Sequence, residues 1–317
     1  MTVPTVRDRV VQTALRMVIE PIFERDFAAH SYGFRPSRGC KDALRRMHEL
    51  LKAGHVFIVD ADLKSYFDTI PKDRLMALIR QKVEDTRVLA LIGNFLEQGV
   101  LDGDKEWVPE QGTPQGAVVS PLLSNIFLDP LDHLMAERGF EMVRYADDFV
   151  VMCRNLEDAT AALALVKEWT ASAGLTLHPT KTRLVDERKD GFDFLGYHFE
   201  AGKRWPRAKS RKKLRDTIRA KTKRTSGQSM TQIIADVNRT LRGWFEYFKH
   251  SIRLTFPMED GFVRRRLRSI QRKQSHRTGS AKANGADQSR WPNAYFTALG
   301  LFCLEQAHAA ACRSSRR

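Results

Sequence analysis

The stretch Val143-Arg-Tyr-Ala-Asp-Asp-Phe-Val-Val-Met152 places two adjacent carboxylates between two short apolar runs. The apolar and β-branched residues on both sides predict two strands. Asp is depleted within strands, so Asp147 and Asp148 are expected at the turn between them, where both carboxylates reach solvent or a cation. Two adjacent like charges repel each other, and a bound cation would relieve that repulsion. The stretch therefore predicts a β-hairpin with a candidate Mg²⁺ site.

A second run of the chain ends in carboxylates in the same way. Val56-Phe-Ile-Val-Asp-Ala-Asp-Leu63 begins with four apolar residues and runs into Asp60 and Asp62. A buried strand that ends in carboxylates has no packing rationale, because an unpaired buried charge is costly. If the two acidic strand ends converge, they can hold two cations about 3.5–4 Å apart, as in-line phosphoryl and nucleotidyl transfer requires. Ordinary solvated turns are the alternative that the residues alone leave open.

Further motifs give these carboxylates a family context. Tyr145-Ala-Asp-Asp148 resembles the tetrapeptide at the active site of reverse transcriptases. Five other segments resemble the successive blocks of the bacterial group II intron reverse transcriptase/maturase family, in that family's order and spacing: Ser31-Tyr-Gly-Phe-Arg-Pro36, Asp62-Leu-Lys-Ser-Tyr-Phe-Asp68, Gly112-Thr-Pro-Gln-Gly116, Gly174-Leu-Thr-Leu-His-Pro-Thr-Lys-Thr182 and Phe194-Leu-Gly-Tyr197. The resemblance covers nearly the whole chain, and the blocks are very specific when taken together.

The resemblance implies an α+β fold of the right-hand polymerase type, in which an antiparallel sheet backed by helices forms the palm. Residues 1–55 would form part of the fingers. Residues 56–200 would form the palm, with a finger-like insertion at about 70–115. Residues 201–260 would form an α-helical thumb, which is the maturase domain of this family, and residues 261–317 a basic C-terminal tail that binds nucleic acid.

Apolar spacing predicts a helix near the N-terminus. The segment from Val6 to Phe23 has a helical period. One side of this helix carries Val6, Val10, Ala14, Met17 and Val18. The spacing therefore predicts an amphipathic helix whose apolar side is formed by these residues.

Three carboxylates are implied to be both catalytic residues and metal ligands: Asp62, Asp147 and Asp148. They would hold two Mg²⁺ ions, one to activate the primer 3′-hydroxyl and the other to bind the triphosphate. Between the two acids of the first strand, Asp62 is preferred because it matches the family's position five residues before the aromatic Phe67. Asp60 is then expected to be a neighbour that tunes the local charge.

The resemblance also implies a nucleotide pocket. Phe67 would stack under the sugar and reject a 2′-hydroxyl by steric exclusion, which favours dNTPs. Gln115, in a loop with glycines, can donate and accept hydrogen bonds toward the nucleotide or template. Lys181 would act near the pyrophosphate leaving group as a charge stabiliser or general acid. Arg35, on a loop, is a candidate contact to phosphate or template. Core packing for Phe67 and plain surface positions for Lys181 and Arg35 are the alternatives.

Positive charge is concentrated in the last third of the chain. The whole sequence carries +15, whereas residues 201–317 contain 28 Lys and Arg against 7 Asp and Glu. Such an excess would repel itself without a polyanion, so it predicts a nucleic-acid partner and salt-dependent binding. Residues 207–224 hold ten of these basic residues on a predicted helix. The candidate RNA contacts on it are Arg207, Lys209, Arg211, Lys212, Lys213, Arg215 and Arg219.

Composition argues against several other classes of protein. No run of about 18 apolar residues is present, so no membrane span is predicted, and the N-terminus lacks an apolar signal region. The four cysteines, Cys40, Cys153, Cys303 and Cys312, form no C-x-x-C pair and are interpreted as reduced thiols of a cytosolic protein. The sequence lacks the His/Cys cluster that an appended endonuclease would need. We therefore expect a cytoplasmic bacterial protein that is associated with the nucleoid when it is bound to DNA.

The leading hypothesis is an RNA-directed DNA polymerase of the group II intron type that also binds intron RNA and assists its splicing. Its partners would be an RNA template, the intron RNA, a DNA primer or target, and dNTPs. The family normally has more chain before this N-terminus, with basic residues that grip the incoming triphosphate. A non-polymerising RNA-binding splicing cofactor, or an inactive truncated reverse transcriptase, is therefore the alternative. An RNA-templated RNA polymerase is a third hypothesis, which Phe67 disfavours.

Overall fold

The structure is a computed structural model that describes residues 4–102, 105–107, 110–114, 116–225, 227–275 and 284–314. The chain divides into two compact units, Met1–Leu195 and Gly196–Arg317. In the described ranges, no helix combines the length and the apolar character that a membrane span requires.

Helices and strands alternate along the first unit. Its helices are α1 (Val6–Glu24), α2 (Cys40–Lys52), α3 (Tyr66–Thr69), α4 (Lys72–Arg80), α5 (Thr86–Leu96), α6 (Ser120–Glu137) and α7 (Leu156–Ser172). Its strands are β1 (Phe57–Asp62), β2 (Val100–Asp102), β3 (Lys105–Trp107), β4 (Glu141–Tyr145), β5 (Asp148–Cys153), β6 (Arg183–Asp186) and β7 (Phe192–Phe194).

A four-stranded antiparallel sheet forms the centre of the first unit, with the strand order β4-β5-β1-β6. Helix α7 packs on β1 and β5, while α2 and α6 pack against β4. Side chains alternate between the two faces of a strand, and Val59, Phe149 and Val151 point into one fully buried core with helix α6. Each such side chain contributes roughly 1.5–3 kcal/mol when it is buried. The predicted α+β fold with an antiparallel sheet backed by helices is confirmed.

Helix α1 forms as predicted, but the predicted apolar side is not the side that packs. Its exposed residues include Val6 (69%), Val10 (65%) and Met17 (71%). The buried face consists of Gln12, Leu15, Ile19 and Phe23. Gln12 faces the unit because its Oε1 accepts a hydrogen bond from the backbone N–H of Val118 at 2.8 Å. The prediction was wrong because α1 carries two apolar stripes, and periodicity alone does not tell which one is buried.

The second unit joins a hairpin to a set of helices. Its elements are β8 (Tyr197–Glu200), β9 (Lys203–Pro206), α8 (Ala208–Lys221), α9 (Met230–Phe248), α10 (Thr255–Gln274), α11 (Asn284–Arg290), α12 (Asn293–Ala298) and α13 (Leu304–Ser314). β8 and β9 pair in antiparallel fashion. The core contains the buried aromatic residues Phe245, Phe256, Trp291 and Phe296. The predicted boundary between residues 260 and 261 lies inside α10, so the helix continues across it.

A buried carboxylate ties α8 to α10 in the second unit. The side chain of Glu259 is fully buried (0% exposed). It accepts hydrogen bonds from Arg211 Nε at 2.9 Å and from Arg215 Nε and Nη2 at 2.9 and 3.0 Å. A buried charge is tolerated only when it is paired and hydrogen-bonded. These two arginines therefore hold the helices together.

Candidate active site

The two adjacent carboxylates lie at the tip of the β4–β5 hairpin. Tyr145 pairs with Asp148, so Ala146 and Asp147 form the turn. Ala146 has a φ of 60°, a left-handed conformation that costs a non-glycine residue about 1–2 kcal/mol. Asp147 is half-buried and Asp148 is exposed. The predicted turn is present, and Asp148 is already the first residue of β5.

Strand β1 brings a third carboxylate to the same place. In the β1–β5 register Asp62 lies directly opposite Asp148, whereas Asp60 lies opposite Val150. Opposed residues of an antiparallel pair have Cα atoms about 4.5–5.5 Å apart, and like charges at such positions destabilise the sheet. Asp62, Asp147 and Asp148, the three residues predicted to be catalytic, are therefore neighbours.

Burial changes the ionisation of two acids in this region. Burial raises the pKa of Asp147, and the negative charge of Asp62 raises it further. Burial also raises the pKa of Asp60, against the opposing effect of the Arg183 guanidinium, whose Nε lies 3.3 Å from Asp60 Oδ2. A cation placed among the carboxylates would favour their charged forms.

Lys181 lies beside the first carboxylate. Its Nζ is 2.7 Å from Asp62 Oδ2, and both side chains are partly exposed, at 59% and 37%. The preceding segment runs along β1, because the N–H of His178 donates to the carbonyl of Asp62 at 2.7 Å. An ion pair with this much solvent contact contributes at most about 1 kcal/mol. The ammonium group can therefore leave Asp62 at little cost.

Phe67 lies on the short helix α3, which follows β1 directly. Its half-buried ring meets the buried ring of Tyr66 edge-on, with 5.5 Å between the ring centroids. The Tyr66 hydroxyl donates to the Ser124 carbonyl of α6 at 2.8 Å. Tyr66 thus anchors α3, while Phe67, five residues after Asp62, keeps part of its ring accessible.

A glycine allows the following loop to pack on α3. The N–H of Thr113 donates to the Phe67 carbonyl at 2.7 Å, and that of Gly112 donates to the Ile70 carbonyl at 2.8 Å. A Cβ on Gly112 would lie 2.6 Å from Phe67 O, and the residue has a φ of +90°. Only glycine suits this conformation and this close approach. Gln115, the predicted nucleotide contact in the same loop, lies outside the described residues.

The loop formed by residues 31–36 packs directly on the turn of the β4–β5 hairpin, which the sequence did not predict. A Cβ on Gly33 would lie 2.2 Å from Ala146 N and 2.8 Å from the carbonyl carbon of Tyr145. The Asn125 amide donates to the Gly33 carbonyl at 2.8 Å. The absence of a side chain at Gly33 is thus what lets the loop touch the turn.

Arg35 has a structural role, so its prediction as a phosphate or template contact is wrong. Its side chain is only 2% exposed. Nε lies 3.0 Å from both carboxylate oxygens of Glu24, and Nη2 lies 2.8 Å from one of them. Nη1 donates to the carbonyls of Ala28 and Ser31. Since the donors of the guanidinium are already engaged inside the unit, Arg35 has none to offer a ligand.

A second buried arginine, also missed in the sequence, supports the turn itself. Arg144 of β4 is fully buried and forms an ion pair with Asp132 of α6. Its Nη1 donates at 2.9 Å to both Asn125 Oδ1 and the Ala146 carbonyl. The signal that could have revealed it was a charged residue directly after the apolar pair Met142-Val143 within a predicted strand.

The residues of α8 that were predicted to contact RNA fall into two groups. Lys209, Lys212 and Lys213 are exposed, and among the described residues they have no ion-pair partner. Arg211 and Arg215 are instead bound to Glu259. Their guanidinium groups therefore serve helix packing, and their contact with RNA stays a prediction. Arg219 is paired with Asp216 at 2.5 Å but remains exposed, and Arg207 is half-buried.

Comparison with protein families agrees with this architecture. Residues 1–199 match the family described as reverse transcriptase (RNA-dependent DNA polymerase). The chain belongs to the reverse transcriptase family. Residues 211–291 of this reverse transcriptase match the group II intron, maturase-specific domain. The predicted resemblance to group II intron reverse transcriptase/maturases is therefore confirmed.

Three relatives show how much of the chain is similar to individual proteins. Protein YkfC of Escherichia coli (strain K12) is 32% identical over 236 residues, which cover 62% of this chain and 61% of that protein. The group II intron-encoded protein LtrA of Lactococcus lactis subsp. cremoris is 38% identical over 135 residues, which cover 43% of this chain and 22% of that protein. An uncharacterized 91 kDa protein in the cob intron of Schizosaccharomyces pombe is 32% identical over 262 residues, covering 64% of this chain and 32% of that protein. The chain thus spans less than two thirds of the length of each.

Among solved structures, apo telomerase from Candida Tropicalis is similar in fold. The TM-score is 0.50 at 12% sequence identity, and the match covers 85% of this chain and 54% of that chain. At this identity the likeness concerns the fold alone, and it agrees with a reverse transcriptase architecture.

The carboxylates fit a divalent cation by their chemistry. No group of three His, Cys, Asp or Glu side chains within the described ranges is already arranged as a metal site. Oxygen donors are nevertheless the ligands that Mg²⁺ prefers, and the β1–β5 register supplies two of them side by side. Burial, and to a smaller extent the charge of Asp62, raises the pKa of Asp147, and a cation bound there would favour the charged carboxylate.

We expect Gly33→Ala to destabilise the first unit and to disturb the catalytic turn. The new methyl group would meet backbone atoms that cannot move independently, and overpacking of this kind costs about 1–3 kcal/mol. Urea unfolding gives the free-energy change, and amide hydrogen exchange at residues 144–148 reports the turn. Gly93→Ala in α5 is the matched control, because its Cβ would meet nothing within 4 Å. Equal stability and equal exchange for the two variants would contradict the close packing of Gly33 on the turn.

Proposed function

We propose that this reverse transcriptase family member is an RNA-directed DNA polymerase of the group II intron type. The observation that carries the proposal is the β1–β5 register, which sets Asp62 opposite Asp148 and next to Asp147. Nucleotidyl transfer needs several carboxylates at one accessible point. The match of residues 1–199 to reverse transcriptases supports the same reading.

Asp62, Asp147 and Asp148 would hold two Mg²⁺ ions, and Asp148, the most exposed of the three, would be coordinated least directly. When bound, the ions would supply Lewis-acid activation of the primer 3′-hydroxyl and neutralise charge on the triphosphate. The chain itself contributes the placement of the three carboxylates, through the sheet register and the tight turn at Ala146. Lys181 offsets the charge of Asp62 within the same group.

Three side chains would serve the incoming nucleotide. Phe67, whose ring is partly accessible next to the first carboxylate strand, would exclude a ribose 2′-hydroxyl. Gln115 would hydrogen-bond to the nucleotide or template. Lys181, which has an exposed ammonium group and a weak hold on Asp62, would reach the pyrophosphate leaving group as a charge stabiliser or general acid.

RNA would bind to the outer face of α8. Lys209, Lys212 and Lys213 stand at positions i, i+3 and i+4, which lie on one side of a helix. The buried residues Leu214 and Ile218 lie toward the core. Exposed ammonium groups in a row suit contacts to phosphate and counterion release. The RNA template, the intron RNA and a DNA primer are the proposed nucleic-acid partners.

A splicing cofactor that does not polymerise is the second candidate. The observation in its favour is the match of residues 211–291 to the group II intron, maturase-specific domain. The lysine face of α8 does not involve the carboxylates of the first unit, so RNA binding could operate without nucleotidyl transfer. The two candidates therefore differ in whether activity requires Asp147 and Asp148.

Primer extension separates these candidates. The chain is given an RNA template with an annealed DNA primer, dNTPs and Mg²⁺. We expect extension by the parent, and a loss of at least about 100-fold in Asp147→Asn/Asp148→Asn, because the metal site supplies several kcal/mol of transition-state stabilisation. RNA affinity, measured in parallel, should be retained in the variant. Tight RNA binding without extension by the parent would favour the splicing cofactor.

Sugar selectivity tests the assignment of Phe67. We expect Phe67→Ala to lower the preference for dNTPs over rNTPs by about 10–200-fold, the range that steric fit in a pocket provides. The measurement compares kcat/KM for matched dNTP and rNTP substrates. Phe57→Ala is the control, since Phe57 is also partly buried but lies at the other end of β1. Unchanged selectivity in Phe67→Ala would reject the assignment.

Salt dependence tests the proposed RNA face. Three lysine substitutions, Lys209→Gln, Lys212→Gln and Lys213→Gln, are combined in one variant. Loss of three phosphate contacts should reduce the slope of log Kd against log salt by about 2 for single-stranded RNA. Fluorescence anisotropy with a single-stranded RNA oligonucleotide measures this slope between low and high NaCl.

The paired arginines provide the control for this variant. Arg211→Gln/Arg215→Gln removes two positive charges from the same helix but leaves Glu259 buried and unpaired. We expect this control to lose thermal stability and to keep the greater part of the salt slope. A slope that falls in the arginine variant but not in the lysine variant would contradict the proposed face.

A further inference from the structure

Arg144 is a charged side chain in the most buried part of the first unit. It is 0% exposed and lies in β4, two residues before the catalytic turn. Removing an arginine from water costs several kcal/mol unless its charge and its donors are all matched. The chain keeps such a group within reach of the turn that carries Asp147, which calls for a function beyond packing, because an apolar residue would fill the same space.

Every donor group of Arg144 has a partner. Nε lies 2.8 and 3.0 Å from the two carboxylate oxygens of Asp132, and Nη2 lies 2.5 Å from one of them. Nη1 donates to Asn125 Oδ1 and to the Ala146 carbonyl, both at 2.9 Å. The ion pair with Asp132 fixes the plane of the guanidinium. In this orientation Nη1 points toward the Ala146 carbonyl.

The bond to Ala146 acts on the backbone of the catalytic turn. The carbonyl of Ala146 belongs to the peptide group that ends in the N–H of Asp147, so its direction sets the direction in which Asp147 leaves the turn. Ala146 itself has a φ of 60°, a conformation that persists only where the surroundings enforce it. Arg144 supplies that enforcement from the buried side.

Asn125 links this arginine to the loop on the other side of the turn. Its Oδ1 accepts from Arg144, and its Nδ2 donates to the Gly33 carbonyl at 2.8 Å. Gly33 in turn packs against the Tyr145–Ala146 peptide. The turn is therefore held between Arg144 and Gly33, and Asn125 connects the two.

We propose that Arg144, oriented by Asp132 and coupled through Asn125 to Gly33, is a positioning residue that sets the direction of the Asp147 carboxylate. A lysine cannot replace it, because one ammonium group does not provide a planar fork that satisfies a carboxylate, an amide and a carbonyl together. For turnover the inference rests on the proposed polymerase function. For metal affinity it rests only on Asp147 being a ligand.

Mn²⁺ binding to the full chain, without nucleic acid, tests the inference independently of catalysis. Electron paramagnetic resonance measures free Mn²⁺ during a titration of the parent, Arg144→Lys and Asp132→Asn. We expect the affinity of both variants to fall by about 10–100-fold, the effect typical of groups that orient a metal ligand. Asn125→Ala is the third variant, because it breaks the link to Gly33 yet keeps the ion pair, so it tests the coupling even if Arg144→Lys fails to fold.

Ile79→Ala is the matched control for stability. Ile79 of α4 is fully buried in the core of the first unit, but it takes no part in the contacts that hold the turn. We expect it to lower the melting temperature as Arg144→Lys does and to leave Mn²⁺ affinity within about twofold of the parent. An equal loss of affinity in Ile79→Ala would overturn the inference in favour of general loosening, as would unchanged affinity in folded Arg144→Lys and Asn125→Ala.

Primer extension adds a second readout when kcat is expressed per folded chain, because a loss of stability is then removed from the rate. We expect Arg144→Lys to lower kcat by about tenfold or more while KM for the dNTP changes little, since the pocket around Phe67 is intact. A parent chain that binds Mn²⁺ but does not extend primers would remove the proposed function and leave the inference to the Mn²⁺ titration. A parent chain that binds no Mn²⁺ would overturn the inference.

Discussion

The antiparallel register of β1 and β5 is the constraint on which the rest of the first unit depends. Side chains alternate with a period of two, so a slip of one residue would turn every side chain of a strand to the other face. The register that buries Val59 and Val151 in the core is the same register that sets Asp62 opposite Asp148. Hydrophobic burial therefore determines where the carboxylates lie. The free energy that stabilises the sheet also holds together charges that would otherwise separate, which is why the acidic residues stand at the strand ends rather than on a flexible loop.

Three basic side chains lie near these carboxylates, and they differ in how far they are exposed to solvent. Arg144 is buried and hydrogen-bonded on all sides, so it is a fixed part of the turn. Arg183 lies across from Asp60, one strand away, and partly offsets the burial of that acid. Lys181 is exposed, and its pair with Asp62 is weak enough to exchange. Arg144 is therefore a fixed positive charge beside the turn, whereas Lys181 is a positive charge that can leave Asp62.

Local patterns in the sequence predicted the strands and the acidic turn, because strand alternation acts over a few residues, whereas the antiparallel sheet and the choice of Asp62 over Asp60 were implied by the family resemblance. The errors and omissions arose where contacts join distant segments. Arg35 lies within a loop motif, whereas its partner Glu24 lies on the preceding helix α1. Sequence periodicity does not predict such an ion pair. The face of α1 was misassigned because Gln12, a polar residue, is buried through a bond to the distant N–H of Val118. Arg144 was visible in principle as a charge directly after the apolar pair Met142-Val143, but Asp132, which neutralises it, is on another element, and only the fold pairs the two.

In the second unit, the number of positively charged residues overstates the positive surface that is available to nucleic acid. Arg211 and Arg215 are bound to a buried glutamate, and Arg268 donates to the Trp291 carbonyl and to Asn293. Arginine suits these interior positions because its guanidinium is more weakly hydrated than an ammonium and offers a planar set of donors. Lysine keeps its charge in water and stands outside, as Lys209, Lys212 and Lys213 do. In this chain the exposed positive charge of α8 therefore comes mainly from Lys209, Lys212 and Lys213. Arg211 and Arg215 add to the net charge, but they are engaged in packing against α10.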